Sequence, residues 1–262
     1  MNTDQPLVLL SAIEEEHLGV RTARASGVTL NTLPEVMSFC RANKVVLLVA
    51  RCLASEFGAV HAMEREGFLL MDTLIYYSRD LVDAPRQPRG GNIRIRPMRA
   101  GEERIVRNIA AESFRGYLGH YHADERIDRS KCDEAYESWA YRSCVSRDIV
   151  DEVLVAELNG SVAAFATFRI NSPEEVEGLL SGVSPSARGR GIHGSLLTAG
   201  MVWCLSKGAT RMVFSTQITN IAAQKIWVRL GAEPSHAYYT FHKWFDGPTP
   251  SQRPDHEAIL DA

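Results

Sequence analysis

The stretch VEGLLSGVSPSARGRGIHGSLLTAG, residues Val176 to Gly200, changes character twice along its length. Its first eight residues form an apolar run of strand length. Pro185 then breaks the pattern, glycines follow at 189, 191 and 194, and from Gly194 to Lys207 an apolar stretch of helical length takes over. Strand, glycine-rich turn and helix in this order have a physical use. Glycine reaches φ > 0 without a Cβ penalty and lets backbone approach a ligand closely, and the start of a helix offers unpaired N–H groups with partial positive charge. Such a turn binds phosphate, and Arg188 and Arg190 add cationic charge. A helix cap flanked by two solvated arginines is the plainer reading of these residues taken alone.

Outward from this stretch the chain alternates strand and helix patterns. Upstream, DEVLVAEL and SVAAFATFRI flank Asn159-Gly160, a two-residue hairpin signal. A helical region from Gly101 to Ser146 and a strand at Ile93–Met98 precede them. Downstream lie a strand at Arg211–Ser215, a helix at Ile221–Leu230 and a strand at Ala237–Trp244. The segment 83–92, with two prolines and two adjacent glycines, reads as a linker. Before it, His17–Ser26 reads as a strand, Leu33–Ala42 as a helix, Lys44–Ala50 as a buried strand, Leu53–Glu66 as a helix and Phe68–Ser78 as a strand. The layout is therefore α/β: a small domain over 1–82, a larger one over 93–246, and a Pro-rich tail over 247–262 expected to be disordered. Shifting the chain by 164 residues lays Ala59 on Ala223, Arg65 on Arg229 and Gly67 on Gly231, which suggests an internal repeat. The first copy has no glycine-rich turn, so it would serve as scaffold.

Composition narrows the possibilities. The 262 residues carry 45% hydrophobic and 23% charged residues with a formal net charge of −3. Near balance of acids and bases speaks against nucleic acid as a partner. No apolar run approaches the length that spans a bilayer, and the N-terminus lacks secretory-signal features, so a cytoplasmic location without membrane attachment is expected. Five cysteines form no metal-ligand spacing and read as buried thiols; no metal is implied. The aromatic ending leaves a homodimer possible.

RGRGIHG resembles the first signature motif of the GNAT N-acetyltransferases, R-G-x-G-x-G/A. The later set Asn220, Ala223, Trp227 and Gly231 resembles their second, N-x-x-A followed by an aromatic residue and a glycine. No Lys-Ser/Thr follows the glycines and no acidic partner of a dinucleotide fold stands downstream, so the common nucleotide motifs do not fit. The resemblance covers 94–244. It implies a GNAT fold with a mixed, mostly antiparallel sheet, preceded by a smaller degenerate GNAT-like α/β domain. It implies acetyl-CoA, or another short acyl-CoA, as co-substrate, held by Gly182, Val183, Arg188, Gly189, Arg190, Gly191, Ile192, His193, Gly194, Ser195, Asn220 and Trp227. Within the family the chain looks most like enzymes that acetylate amines of TDP-linked sugars, such as TDP-fucosamine acetyltransferases. The carrying features are the two-part layout, the phrase HYHADERIDRSKCDEAYESWAYRSC at 120–144 and the ending YYTFHKWF at 238–245.

Two positions depart from the family pattern. His193 stands where a small residue is usual. Trp227 stands where many members carry a tyrosine that protonates the departing thiolate; an indole N–H can donate a hydrogen bond to sulfur but does not release its proton near neutral pH. By motif order Tyr238 and Tyr239 are the nearest alternative acids. The amine must lose a proton before it attacks the thioester. His122, a competent base at its ordinary pKa, and Glu177, on the strand before the turn, are the candidates. Tyr121, His122, Asp124 and Arg126 are candidate substrate contacts, the arginine suiting a nucleotide diphosphate. Two other readings remain at this stage: a GNAT acting on a peptide or small-molecule amine, and a catalytically silent acyl-CoA-binding module.

Overall fold

The computed structural model describes residues 7–82 and 93–246. The expected linker at 83–92 and tail at 247–262 lie outside them. In chain order the elements are β1 (Val8–Leu10), α1 (Ala12–Leu18), β2 (Thr22–Ala25), α2 (Leu33–Ala42), β3 (Leu47–Leu53), α3 (Phe57–Arg65), β4 (Leu69–Asp80), β5 (Ile93–Pro97), α4 (Glu103–Ser113), α5 (Arg129–Val145), β6 (Glu152–Leu158), β7 (Ser161–Ser172), β8 (Glu175–Val183), α6 (Ile192–Ser206), β9 (Arg211–Gln217), α7 (Ile221–Arg229) and β10 (Glu233–Trp244). Two expectations fail in detail. The strand expected at His17–Ser26 is a helix end followed by β2, because Ser11 caps α1 and Gly19 terminates it at φ 75°. The single helical region expected over 101–146 is two helices, parted by a loop in which Gly116 turns at φ 74°.

The described residues divide into two compact units, one within 73–237 and the other made of 7–72 with 238–246. This differs from a division at the linker, for a reason visible in the pairing. Leu74–Asp80 of β4 pairs antiparallel with β9, whereas Tyr238–Trp244 of β10 pairs antiparallel with β3. Each repeat's last strand is thus built into the unit of the other. The repeat itself is sharp. Adding 164 carries Leu47–Leu53 onto Arg211–Gln217, Phe57–Arg65 onto Ile221–Arg229 and Leu69–Asp80 onto Glu233–Trp244, with both copies turning on a left-handed glycine, Gly67 at φ 78° and Gly231 at φ 79°.

In the larger unit the strands run in the order β4-β9-β8-β7-β6-β5, antiparallel except for β8 with β9. The period of two sorts side chains to opposite faces. Leu154 and Ala156 of β6 and Ala164, Ala166 and Phe168 of β7 pack against α6 and α7, while Val155 and Phe165 pack against α4 and α5. The hairpin joining β6 to β7 turns on Asn159 and Gly160 at φ 53° and 85°, the left-handed pair that a two-residue turn of this kind requires. Helix α6 lies close on the sheet because Gly200 has no Cβ; a methyl there would stand 2.3 Å from the Phe168 ring. In the smaller unit, Ala23, Ala25, Leu48, Ala50, Cys52 and Phe241 of its sheet pack against α2 and α3. Among the described residues no helix is long and apolar enough to cross a membrane.

Candidate active site

Strands β8 and β9 start side by side, and four residues later their pairing ends. Glu175–Gly178 pairs with Arg211–Phe214, and beyond that point β8 runs on to Val183 and β9 to Gln217 without further register between them. Each keeps its other neighbour: β8 pairs with β7 up to Val183, and β9 with β4 up to Gln217. Only the seam between β8 and β9 opens. A bulge accompanies the parting, since Phe168 faces Gly178 and Thr167 faces Leu180, leaving Leu179 as the extra residue. The bulge exchanges the faces of β8. Gly178 lies against Phe214, Leu180 joins the α4–α5 core, and Ser181 reaches His193 at the start of α6. The open seam exposes backbone groups of β8 to an extended ligand.

The glycine-rich turn lies at the far end of that seam. After Val183 a short helical turn over Pro185–Ala187 leads to Gly189 at φ 76° and Gly191 at φ 74°, the second being the N-cap of α6. Gly191 has no side chain to cap the helix, so the N–H groups of Ile192, His193 and Gly194 keep their donor capacity at the positive end of a fifteen-residue helix. Ser195 returns its hydroxyl to the Gly191 carbonyl at 3.2 Å, fixing the first turn. The strand end is pinned as well. Ser113 of α4 donates to the Val183 carbonyl at 3.1 Å, and Gly182 must be glycine because a methyl there would stand 2.8 Å from Phe165 and 2.9 Å from Ser113 Oγ. Arg188 reaches the Val183 and Ser113 carbonyls at 3.4 Å while staying exposed, as does Arg190. A bare helix start, two left-handed glycines with open space around them and two arginines suit a diphosphate. Beside the turn a cleft of about 340 Å³ opens between α4 and the β6–β7 hairpin, lined in part by Asn108, Glu112, Ser161 and Ser184.

His193 enters the first turn of α6 as a neutral ring: burial lowers its imidazole to about 4, and its Nε2 stands 3.0 Å from Ser181 Oγ. It therefore adds a polar contact without adding charge. Asn220 caps α7, accepting from the Ala223 N–H at 3.3 Å and donating to Thr216 Oγ1 at 2.9 Å. Trp227, 6% exposed, stacks on Phe214 with centroids 5.3 Å apart and meets Tyr77 edge-on at 5.5 Å. Its Nε1 is buried with no hydrogen-bond partner among the described residues.

The candidate substrate residues occupy the loop between α4 and α5 and the start of α5. Tyr121 and Asp124 are buried, the latter accepting from the Arg126 N–H at 3.0 Å, and Arg126 is exposed. His122 is held at both ring nitrogens: Nδ1 accepts from the Gly119 N–H at 3.4 Å and Nε2 lies 3.1 Å from Asp133 Oδ1. With Nδ1 accepting, the proton sits on Nε2 facing the carboxylate. Its lone pair is already in use. Glu177 is one residue before the parting of β8 and β9, on the face opposite Val176 and Gly178, and its Oε2 accepts from Asn171 Nδ2 at 3.2 Å. Tyr238 and Tyr239, the alternative acids, are in the smaller unit, paired with Leu53 and Cys52 of β3, and Tyr239 packs on that unit's core.

Three residues of this region carry no motif. Tyr117 bonds through its hydroxyl to Thr216 Oγ1 at 3.2 Å and to Gln217 Oε1, fastening the α4–α5 loop to the open end of β9. Thr216 and Gln217 are both buried. The switch from RMVF to STQ along β9 was the available signal, a strand that keeps its burial while turning polar.

Residues 107–232 match the acetyltransferase (GNAT) family. That stretch, just under half of the chain, is similar in sequence to GNAT acetyltransferase domains. The fold agrees: a GCN5-related N-acetyltransferase from Sphaerobacter thermophilus superposes with a TM-score of 0.62 at 16% identity, covering 91% of this chain and 76% of that one. A tandem GNAT protein from the clavulanic acid biosynthesis pathway does so with a TM-score of 0.59 at 14% identity, covering 88% and 77%. Among curated proteins, the spore coat polysaccharide biosynthesis protein SpsD of Bacillus subtilis (strain 168) is 24% identical over 148 residues, 56% of this chain and 50% of that protein. The chain thus matches half the length of that relative.

The run that resembles the first GNAT signature motif is the turn at Arg188–Gly194, and the set that resembles the second opens α7. The five cysteines are free, and burial pushes the thiols of Cys40, Cys52, Cys132 and Cys204 to about 11 and that of Cys144 to about 12. None is a thiolate nucleophile at neutral pH. No cluster that could hold a metal occurs among the described residues.

Proposed function

We propose that this protein transfers an acyl group, acetyl foremost, from acyl-CoA to the amine of a nucleotide-linked amino sugar by direct attack in a ternary complex. The observation that carries the acyl-CoA half is the parting of β8 from β9 at Gly178 and Phe214, with the bare N-terminus of α6 at the far end of the gap. CoA supplies the activated acyl thioester. The chain's part is to hold the diphosphate on the N–H groups after Gly191 and to offer the unpaired edge of β8 to the amides of the arm. Glu177, beside the parting, takes the amine's proton, since the lone pair of His122 already accepts from Gly119. Tyr121, His122 and Asp124 form the acceptor wall, held in place by the bond from Tyr117 to β9.

The amino-sugar half rests on the likeness to SpsD, a protein named for polysaccharide biosynthesis, and on the buried polar residues His120 and Asp124 of the loop at 117–124. The smaller unit, with the same strand–helix–strand plan and no glycine-rich turn, is a degenerate GNAT-like scaffold. The test is thiol release from acetyl-CoA with a panel of TDP-amino sugars, free amino sugars and peptide amines. Release with the TDP-linked compounds above all others is expected. A preference for peptide amines overturns the substrate class, and CoA binding without thiol release for any amine leaves a silent binding module instead.

A further inference from the structure

A buried polar atom without a partner is rare in a native structure and calls for an explanation, because an unmade hydrogen bond in the interior costs on the order of 1–3 kcal/mol. Trp227 has one. Its side chain is 6% exposed, its Nε1 is buried, and nothing among the described residues accepts its proton. An aromatic residue needed only for packing at this point of α7 has no use for an N–H that must be satisfied.

The ring's position suggests what the N–H is for. Trp227 stacks on Phe214 at 5.3 Å, and Phe214 is the last residue of β9 paired with β8, opposite Gly178. The indole therefore covers the point where the seam opens. The diphosphate cradle begins just after Val183, five residues further along β8, and at about 3.3 Å per residue the seam between the two points is about 16 Å long. The arm that joins the diphosphate of CoA to its sulfur contains two amides and their methylenes and is about that long when extended. With the diphosphate in the cradle and the arm along β8, the sulfur arrives at Trp227. Helices α6 and α7 are in contact, a Cβ placed on Gly194 standing 3.9 Å from Ile226.

We propose that the indole N–H of Trp227 is the hydrogen-bond donor to the sulfur of the acyl thioester, and that it keeps its proton throughout. As the amine nitrogen bonds to the acyl carbon, the carbon–sulfur bond breaks with both electrons on sulfur. The amine's proton goes to Glu177. Sulfur leaves as a thiolate steadied by the indole and takes its proton later from water. This rests on the acyl-CoA reading above and adds that the leaving group is stabilised without an acid.

The test is an NMR titration of the full chain carrying ¹⁵N-tryptophan, with the Trp227 indole signal assigned by its absence in Trp227→Phe. Saturating CoA is expected to move that signal, whereas desulfo-CoA, which differs only in having hydrogen for the thiol, binds and leaves it in place. In parallel, Trp227→Phe is expected to lower kcat by about 10–100-fold, as for loss of a hydrogen bond to a charged group, while CoA affinity changes little. A signal that ignores CoA, or responds equally to both ligands, overturns the inference and leaves the N–H resting on the neighbouring Tyr77 ring. An unchanged kcat in Trp227→Phe overturns it too. If neither ligand binds the wild-type protein, the acyl-CoA reading itself fails and the inference falls with it.

Discussion

Replacing Gly191 by alanine separates backbone conformation from bulk at the cradle. An added methyl meets nothing within 4 Å, so no contact opposes it. The obstacle is the φ of 74°, a left-handed conformation that costs an L-residue about 1–2 kcal/mol. That strain has two outlets. If the turn holds its shape, Gly191→Ala loses about 1–2 kcal/mol of unfolding free energy. If the turn relaxes, α6 survives but its first N–H groups swing away, and CoA affinity falls about 5–30-fold, the same energy expressed in binding. Urea unfolding and calorimetric CoA titration measure the two together. Gly194→Ala is the control. Its φ is not left-handed and its methyl would sit 3.9 Å from Ile226, an ordinary contact, so inside the helix it gains about 0.5–1 kcal/mol of stability. Gly191→Ala leaving both stability and affinity within twofold of wild type would refute the view that a left-handed N-cap shapes the anion site.

Further outcomes follow from packing and charge. Gly200→Ala places a methyl 2.3 Å from the Phe168 ring and should cost about 1–3 kcal/mol in urea unfolding as α6 is pushed off the sheet. Tyr117→Phe removes the bonds to Thr216 and Gln217 and should raise KM for the amine several-fold while CoA affinity stays constant, as titration and initial rates would show. Arg96 lies 2.6 Å from both Glu102 and Glu157, and its guanidinium holds the Glu102 carboxyl at about 2, below the ordinary 4.5. A depressed carboxylate stabilises the fold above its unfolded pKa and loses that contribution as pH falls from 4.5 towards 2. With solvent screening the pair contributes up to about 1 kcal/mol. Arg96→Met should already lack this at neutral pH and show a flatter decline in urea midpoint across that acid range.

The glycine-rich turn was legible because its geometry is local: a strand, left-handed glycines and a helix start are consecutive in the chain, and each leaves a mark on residue choice. The helix at Leu33–Ala42 was legible for the same reason, with Pro34 inside its first turn and an apolar face at Val36, Met37 and Cys40. The parting of β8 and β9 was not, because it depends on which strands pair and where pairing stops, and VEGLLSGV reads the same whether or not its edge is covered. Tyr117 escaped notice because its partners stand a hundred residues away in sequence. The setting of His122 was not readable from the sequence, since a histidine's availability as a base is decided by its neighbours, here Gly119 and Asp133. The compact units differ from a division at the linker because a linker marks where the chain is permissive and says nothing about where its strands end up.

That exchange of last strands has a practical corollary for anyone dissecting the molecule. A polypeptide starting at residue 93 would keep both signature motifs yet lack the strand that shields β9, and one stopping at 82 would lack the strand that shields β3. Each would present a raw edge eager for any available partner strand, so separate expression invites aggregation, while coexpression lets each fragment return the strand the other is missing. A gene duplication whose products once stood alone would, after such a trade, be locked into a single inheritance.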